Sequence, residues 1–135
     1  MNWSDAEDFC KEKGAHLASL TSTVLNDYAL EGKDKRGIYH LWIGGSDLEV
    51  EGVWKWADCT PWEFTFWRLG EPNNANGVQE QDCLTYDPGA RTWDDYHCDT
   101  PCGFLCSKSI CPGEEKHIKI ERLRSHIRLV CVCIK

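Results

Sequence analysis

The chain is expected to fold as a disulfide-stapled α+β domain. Two amphipathic helical patterns open the sequence, short strands separated by turns follow from His40 onward, and nine Cys and seven Trp crowd into 135 residues. Helices segregated from a run of strands mark the α+β class. Cysteine at this density in a small domain is the usual sign of cross-linking in an oxidising compartment. At this length the chain holds one domain and a modest core.

Ser4 and Glu7 form a capping-box pattern, which places a helix start at Asp5. Ala6, Phe9, Cys10 and Lys13 then share one face, and Gly14 suits the stop. Asn2-Trp3-Ser4 also fits the N-glycosylation sequon, although capping accounts for Ser4 without modification. A second helix is expected from about Ser22 to Leu30, with Val24, Leu25, Tyr28 and Ala29 turned inward. The run from Lys33 to Gly37 reads as a polar loop. Beyond it, Trp42, Ile43, Trp54 and Trp56 read as buried strand residues rather than an exposed stacking platform, because large aromatics dominate small cores. Trp62, Phe64, Phe66 and Trp67 lead into the next loop and are expected to pin its base.

That loop carries the chemistry. From Glu71 to Asp95 the chain concentrates carboxylates and carboxamides around Asn, Gly and Pro, as in Glu71-Pro72-Asn73-Asn74 and Trp93-Asp94-Asp95. Hard oxygen donors suit calcium, which takes six to eight of them, and the lack of Cys or His at these positions disfavours zinc. The proline limits how the loop flexes, and a cis Glu71–Pro72 bond would aim both flanking side chains inward.

With these residues in place, the sequence resembles the C-type lectin-like domain in its carbohydrate-binding branch. Glu71-Pro72-Asn73 is similar to that branch's mannose-type signature and Trp93-Asp94-Asp95 to its Trp-Asn-Asp motif; Trp42-Ile43-Gly44-Gly45 and Gly52-Val53-Trp54-Lys55-Trp56 add supporting matches. The resemblance runs in order over residues 2 to 108. It implies two helices, small antiparallel sheets and a long calcium-binding loop region, with the fold's usual first strand missing ahead of the first helix. Such a loss would leave the strand near Leu105 with an exposed edge. The expected division is a lectin domain over residues 1–108 and a basic tail over 109–135.

The resemblance also implies pairings and ligands. Cys10–Cys106 would tie the first helix to the closing strand, Cys83–Cys98 would clamp the two halves of the site, and Cys59–Cys102 would form a third bridge; Cys111, Cys131 and Cys133 are left over. The calcium ligands would be Glu71, Asn73, Gln81, Asp94 and Asp95, and Glu71, Asn73, Gln81 and Asp94 would also bind the saccharide. Two positions depart from the family pattern: Gln81 stands for Glu, and Asp94 for Asn. Because the loop is about two residues longer than usual, Glu80 is an alternative ligand to Gln81. Three carboxylates remain, so calcium binding is expected to survive. Asp47, Glu51, Asn74 and Asp82 match an auxiliary metal site; the alternative is a solvated acidic turn.

In the family, two neighbouring sugar hydroxyls coordinate the ion, each giving a hydrogen bond to a carboxylate and taking one from an amide. Glu71 with Asn73 keeps one such pair, whereas Gln81 with Asp94 keeps the other with donor and acceptor exchanged. Glu71-Pro72-Asn73 points to mannose, N-acetylglucosamine or fucose. The exchange points toward galactose, although no Trp between Asn74 and Asp82 offers a galactose-stacking face.

Charge and hydropathy exclude other classes. Residues 1–108 carry 9 Lys and Arg against 19 Asp and Glu, a balance of −10, while residues 109–135 carry 6 against 3. An acidic body lacks the basic face that nucleic acid requires. There is no run of eighteen apolar residues for a bilayer span and no basic-then-apolar leader at Met1. The chain is therefore expected to be a piece of a secreted or membrane-anchored protein working outside the cell, with oligomerisation supplying avidity for glycans. No nucleophile–base pairing suggests an enzyme, since adjacent strand residues such as Asp94 and Asp95 point to opposite faces. The rival to sugar binding is a lectin-like domain that contacts protein instead.

Overall fold

The computed structural model describes residues 1–29, 40–77 and 80–108. The expected loop 33–37 and the tail 109–135, with Cys111, Cys131 and Cys133, lie outside them. The α+β architecture anticipated from the sequence, two helices with small sheets, is the one observed. Its elements run α1 (Trp3–Glu12), β1 (His16–Leu17), α2 (Thr23–Tyr28), β2 (Leu41–Ser46), β3 (Lys55–Trp56), a short helical turn α3 (Asn74–Gly77), β4 (Cys83–Asp87), β5 (Thr92–Tyr96), β6 (Gly103–Phe104) and β7 (Cys106–Ser107).

The first helix begins two residues earlier than the capping box predicts. Asn2, not Ser4, is the cap, its side-chain oxygen accepting from the Asp5 amide at 2.8 Å. An Asn cap serves as well as Ser, and starting earlier lets Trp3 join Ala6, Glu7 and Cys10 on the buried face. Glu7 therefore does not close a capping box. Its carboxylate is buried, accepts from the Leu17 amide at 2.8 Å and meets His16 Nδ1 at 2.6 Å, so it ties α1 to β1.

In α2, Ser22 caps Leu25 as expected for a helix starting there. Leu25 and Ala29 face the core, but Val24 is 60% exposed, contrary to the inward placement predicted for it. The buried position is taken by Asn26, a polar residue that helical periodicity alone passes over.

The larger sheet has the order β3-β2-β4-β5, with β6 running parallel beside β2. The smaller sheet pairs β1 with β7. Gly44 and Gly45 belong to β2 for steric reasons. A Cβ on Gly44 would stand 2.6 Å from the Leu17 carbonyl oxygen, and one on Gly45 would stand 2.5 Å from the Leu84 side chain. The two glycines thus let the β1 segment and the neighbouring core lie flush against the sheet.

One side of the core gathers Ile43, Trp54, Trp56, Leu84, Tyr86 and Trp93, with Trp62, Phe64 and Trp67 packed against them. Trp54 and Trp56 are buried core residues, as predicted, and lie within a chain of ring contacts that includes Trp56 to Trp93 at 5.5 Å and Trp67 to Trp93 at 6.0 Å. The other side centres on α1, Trp42 and Phe104.

Cys10–Cys106 and Cys83–Cys98 are bonded, as the resemblance implied. The expected Cys59–Cys102 bridge is not: both are thiols. Cys59 sits exposed in the turn that leaves β3, its amide bonded to the Trp56 carbonyl. Cys102 is held against the opposite chain end, exchanging backbone hydrogen bonds with Met1. Each cysteine is held by its own backbone contacts, and the two sulfurs are not bonded.

Candidate metal and saccharide site

The site is assembled where the loop after Trp67 folds back on β5. Trp67 bridges to Trp93, the Arg68 amide donates to the Trp93 carbonyl at 2.8 Å, and the Arg68 carbonyl accepts from the Glu71 amide at 3.0 Å. Glu71 is thereby placed against the two residues that follow Trp93. The Glu71–Pro72 peptide is cis. After it, the amides of Asn73 and Asn74 donate to the Asp95 carboxylate at 2.6–3.1 Å, fixing the loop to the strand.

Glu71, Asp94 and Asp95 converge, each offering a carboxylate oxygen within 4.8 Å of the others. Strand alternation would separate Asp94 from Asp95. In the structure Asp95 is buried and Asp94 half-buried along β5, yet both carboxylates reach the Glu71 side chain. Crowding of negative charge has a measurable consequence. Burial, a hydrogen bond shared with Asp95 and the charges of Asp94 and Asp95 raise Glu71 to about 7, partly opposed by the Arg68 guanidinium. Burial likewise raises Asp94, against the pull of Arg68 and His40. The second carboxylate oxygen of Glu71 is buried without a hydrogen-bond partner. Three carboxylates held together, with one buried oxygen unsatisfied, fit a divalent cation better than they fit one another.

Asp47, Glu51 and Asp82 form a second carboxylate cluster with the same 4.8 Å spacing. Asp47 is buried; one of its oxygens accepts from the Gly52 amide at 2.9 Å and the other has no partner. Asn74 reaches this cluster, its Nδ2 donating to Glu51 at 3.3 Å. Burial raises Asp47, Glu51 and Asp82; the charge of Asp82 adds to the first two, that of Glu80 to Asp82 and Glu51, and that of Asp95 to each. The two clusters therefore share one electrostatic field.

The remaining predicted residues divide between them. Gln81 is tied to α3: its side-chain oxygen accepts from the Ala75 amide, and its own amide donates to the Asn74 side chain. Glu80 accepts weakly from Asn74 Nδ2 at 3.5 Å, and its charge raises Glu51 and Asp82. It therefore lies on the side of the auxiliary cluster.

Two residues escape a motif-based reading. Arg68 donates from Nη1 to Asp94 at 3.2 Å, placing a cation at the lip of an otherwise acidic site. Its only signal is its position three residues before Glu71. Asn26 accepts from the Trp93 indole at 2.9 Å, donates to the Arg91 carbonyl at 2.8 Å and takes the Tyr86 hydroxyl on its own carbonyl at 2.8 Å. It anchors the tryptophan that precedes the two site aspartates, and no local pattern announces it.

Fold and site together define a disulfide-stapled α+β domain that carries two loop-borne carboxylate clusters. The family model described as the lectin C-type domain matches residues 1–108, and the chain belongs to this family. Membership implies carbohydrate binding, generally calcium-dependent, and the fold is that of non-enzymatic carbohydrate-binding domains. Over 112 residues the chain is 36% identical to a lectin of Pleurodeles waltl, the match covering 78% of this chain and 63% of that protein. It is 34% identical over 118 residues to lectin BRA-3 of Megabalanus rosa, covering 83% and 69%. Among solved structures, the mouse scavenger receptor C-type lectin carbohydrate-recognition domain superposes with a TM-score of 0.69 at 31% identity, over 78% of this chain and 80% of that one. A calcium-independent type II antifreeze protein superposes with a TM-score of 0.68 at 32% identity, over 78% and 77%. No helix among the described residues is long and apolar enough to cross a membrane.

Proposed function

We propose that this domain is a calcium-dependent lectin that binds glycans of the mannose, N-acetylglucosamine or fucose type outside the cell. The observation that carries the reading is the convergence of Glu71, Asp94 and Asp95 on one point, with a Glu71 oxygen buried and unpartnered. Glu71, Asn73, Gln81, Asp94 and Asp95 would hold the ion, and Asp47, Glu51, Asn74 and Asp82 an auxiliary one. A calcium ion held by the first set supplies coordination positions for two adjacent saccharide hydroxyls. Glu71 would accept a hydrogen bond from one hydroxyl while Asn73 donates to it, and Asp94 would accept from the other. The Asp95 carboxylate, held by the Asn73 and Asn74 amides, keeps the loop and strand in register whether or not sugar is present. One such site binds weakly, so several copies on an oligomer or a glycan-dense surface would raise the avidity.

A second reading is a lectin-like domain that engages protein without ion or sugar; the likeness to a calcium-independent type II antifreeze protein supports only the ion-independent part of it. Calorimetric titration separates the two. The lectin reading expects saturable calcium binding below the millimolar range and glycan retention that a chelator abolishes. Absence of binding at millimolar calcium favours the rival, and selective retention on galactose would replace the mannose-type assignment.

A further inference from the structure

A hydroxyl that lends one lone pair to a cation and its proton to a carboxylate has one lone pair left, which calls for a donor. Two adjacent hydroxyls therefore need two donors beside the ion. Asn73 meets the need on the Glu71 side. On the other side stands Asp94, which when ionised only accepts. Gln81 is the other amide at hand; its oxygen accepts from the Ala75 amide and its backbone N–H donates to Asn74, which ties it to the α3 turn and leaves its Nε2 as the rival donor.

The guanidinium of Arg68 lies against Asp94. It spends one N–H on Asp94 at 3.2 Å, and its side chain is 55% exposed while that of Asp94 is only 13% exposed. A guanidinium carries five N–H donors, so several still face solvent at the lip of the site. Its backbone is bonded to Trp93 on one side and Glu71 on the other, so its position is fixed by the same contacts that build the carboxylate cluster. Side by side, Asp94 supplies acceptor oxygens for the ion and for the hydroxyl's hydrogen, and an Arg68 N–H supplies the donor that Asp94 lacks.

We infer that Arg68 is a specificity-determining residue of this site, donating to the saccharide hydroxyl on the Asp94 side and so restoring the donor order of a mannose-type site. The inference rests on the lectin reading above and deepens it by naming the donor that serves the second hydroxyl.

The test uses the whole chain at saturating calcium, with methyl α-mannoside and methyl β-galactoside titrated by NMR into the wild type, Arg68→Met and Arg68→Lys. Calcium affinity without sugar and the thermal midpoint are measured on each. The wild type is expected to prefer mannoside. Arg68→Met is expected to lose about tenfold in mannoside affinity, the scale of one charge-assisted hydrogen bond, with sugar-free calcium affinity not weakened. Arg68→Lys, which keeps the charge and loses the fork, is expected to fall between, and it decides the matter if the Met variant does not fold. Equal mannoside affinity in wild type and variants overturns the inference in favour of Gln81. A parallel loss of calcium affinity also overturns it, because Arg68 would then only hold Asp94. A wild type that binds calcium but neither sugar overturns the lectin reading and this inference together, whereas sugar binding indifferent to Arg68 overturns this inference alone.

Discussion

Glu71 concentrates the chemistry of the site in one titration. Its carboxyl is raised to about 7 by burial and by its acidic neighbours. A carboxylate whose folded pKa lies above its ordinary value stabilises the fold below that ordinary value and loses this contribution as pH rises through the folded one. Calcium-free protein should therefore lose stability through Glu71 between about pH 5 and pH 8, and calcium should reverse the trend by taking the proton's place. Near pH 6, binding should release close to one proton from this group. Titration calorimetry in buffers of different ionisation enthalpy measures that proton, and affinity should weaken steadily below pH 7. At the same scale, Asn26→Ala should destabilise by about 2 to 4 kcal/mol, since it strands the buried Trp93 indole and the Arg91 carbonyl. Urea unfolding checks the value. Of these residues, Glu71 was legible because a Glu-Pro-Asn triplet in an Asx-rich loop is rare enough to read. Asn26 and Arg68 were not: their partners lie 65–67 and 26 residues away, and nothing local records a contact made across that distance.

Elements explain why the loop stays where it is. The pairing of β4 with β5 sets Leu84 opposite Asp95 and Thr85 opposite Asp94, so the two aspartates are held by an antiparallel ladder rather than by loop. Behind it, β2 lies close to β1, and this is why Gly44 admits no side chain. Gly44→Ala pushes a Cβ into a backbone oxygen that has no rotamer to yield. It should cost about 1 to 3 kcal/mol, or on the order of 10 °C in thermal midpoint for a domain of this size, while Gly14→Ala should be limited to the strain of its positive φ, with no atom within 4 Å of the added carbon. Differential scanning calorimetry on the two variants measures the contrast. The strand runs followed from the turns that punctuate the chain after His40, and the aromatic core from the tryptophans and their match to the family pattern. The start of α1 did not, because Asn2 and Ser4 both suit a cap, and only the burial of Trp3 decides between them.

For the whole molecule, the two disulfides bracket the fold: Cys10–Cys106 closes 96 residues and Cys83–Cys98 closes 15 across the site. By loop length they constrain the unfolded chain by about 4.7 and about 3 kcal/mol respectively. Cys59 and Cys102 contribute no such closure. Under native conditions Cys59 should react promptly with iodoacetamide. Cys102 should lag, because burial raises its thiol and keeps it protonated. Peptide mapping after timed labelling would show this order, and a Cys59–Cys102 peptide would contradict it. The family's order of motifs made the overall plan readable from residue 2 to residue 108. Disulfide pairing beyond the family's two bridges was not readable, since cysteine count says nothing of where each Cβ points.

The central claim is that Glu71, Asp94 and Asp95 gather a calcium ion through which saccharide hydroxyls are held. Retention on immobilised mannose, with calcium and with chelator, measured for wild type and for folded Glu71→Ala and Asp95→Ala proteins, tests it most directly. Wild type should be retained with calcium and released by chelator, and retention should be lost in both variants. Variants that bind as the wild type does, or wild-type retention indifferent to chelator, would contradict it.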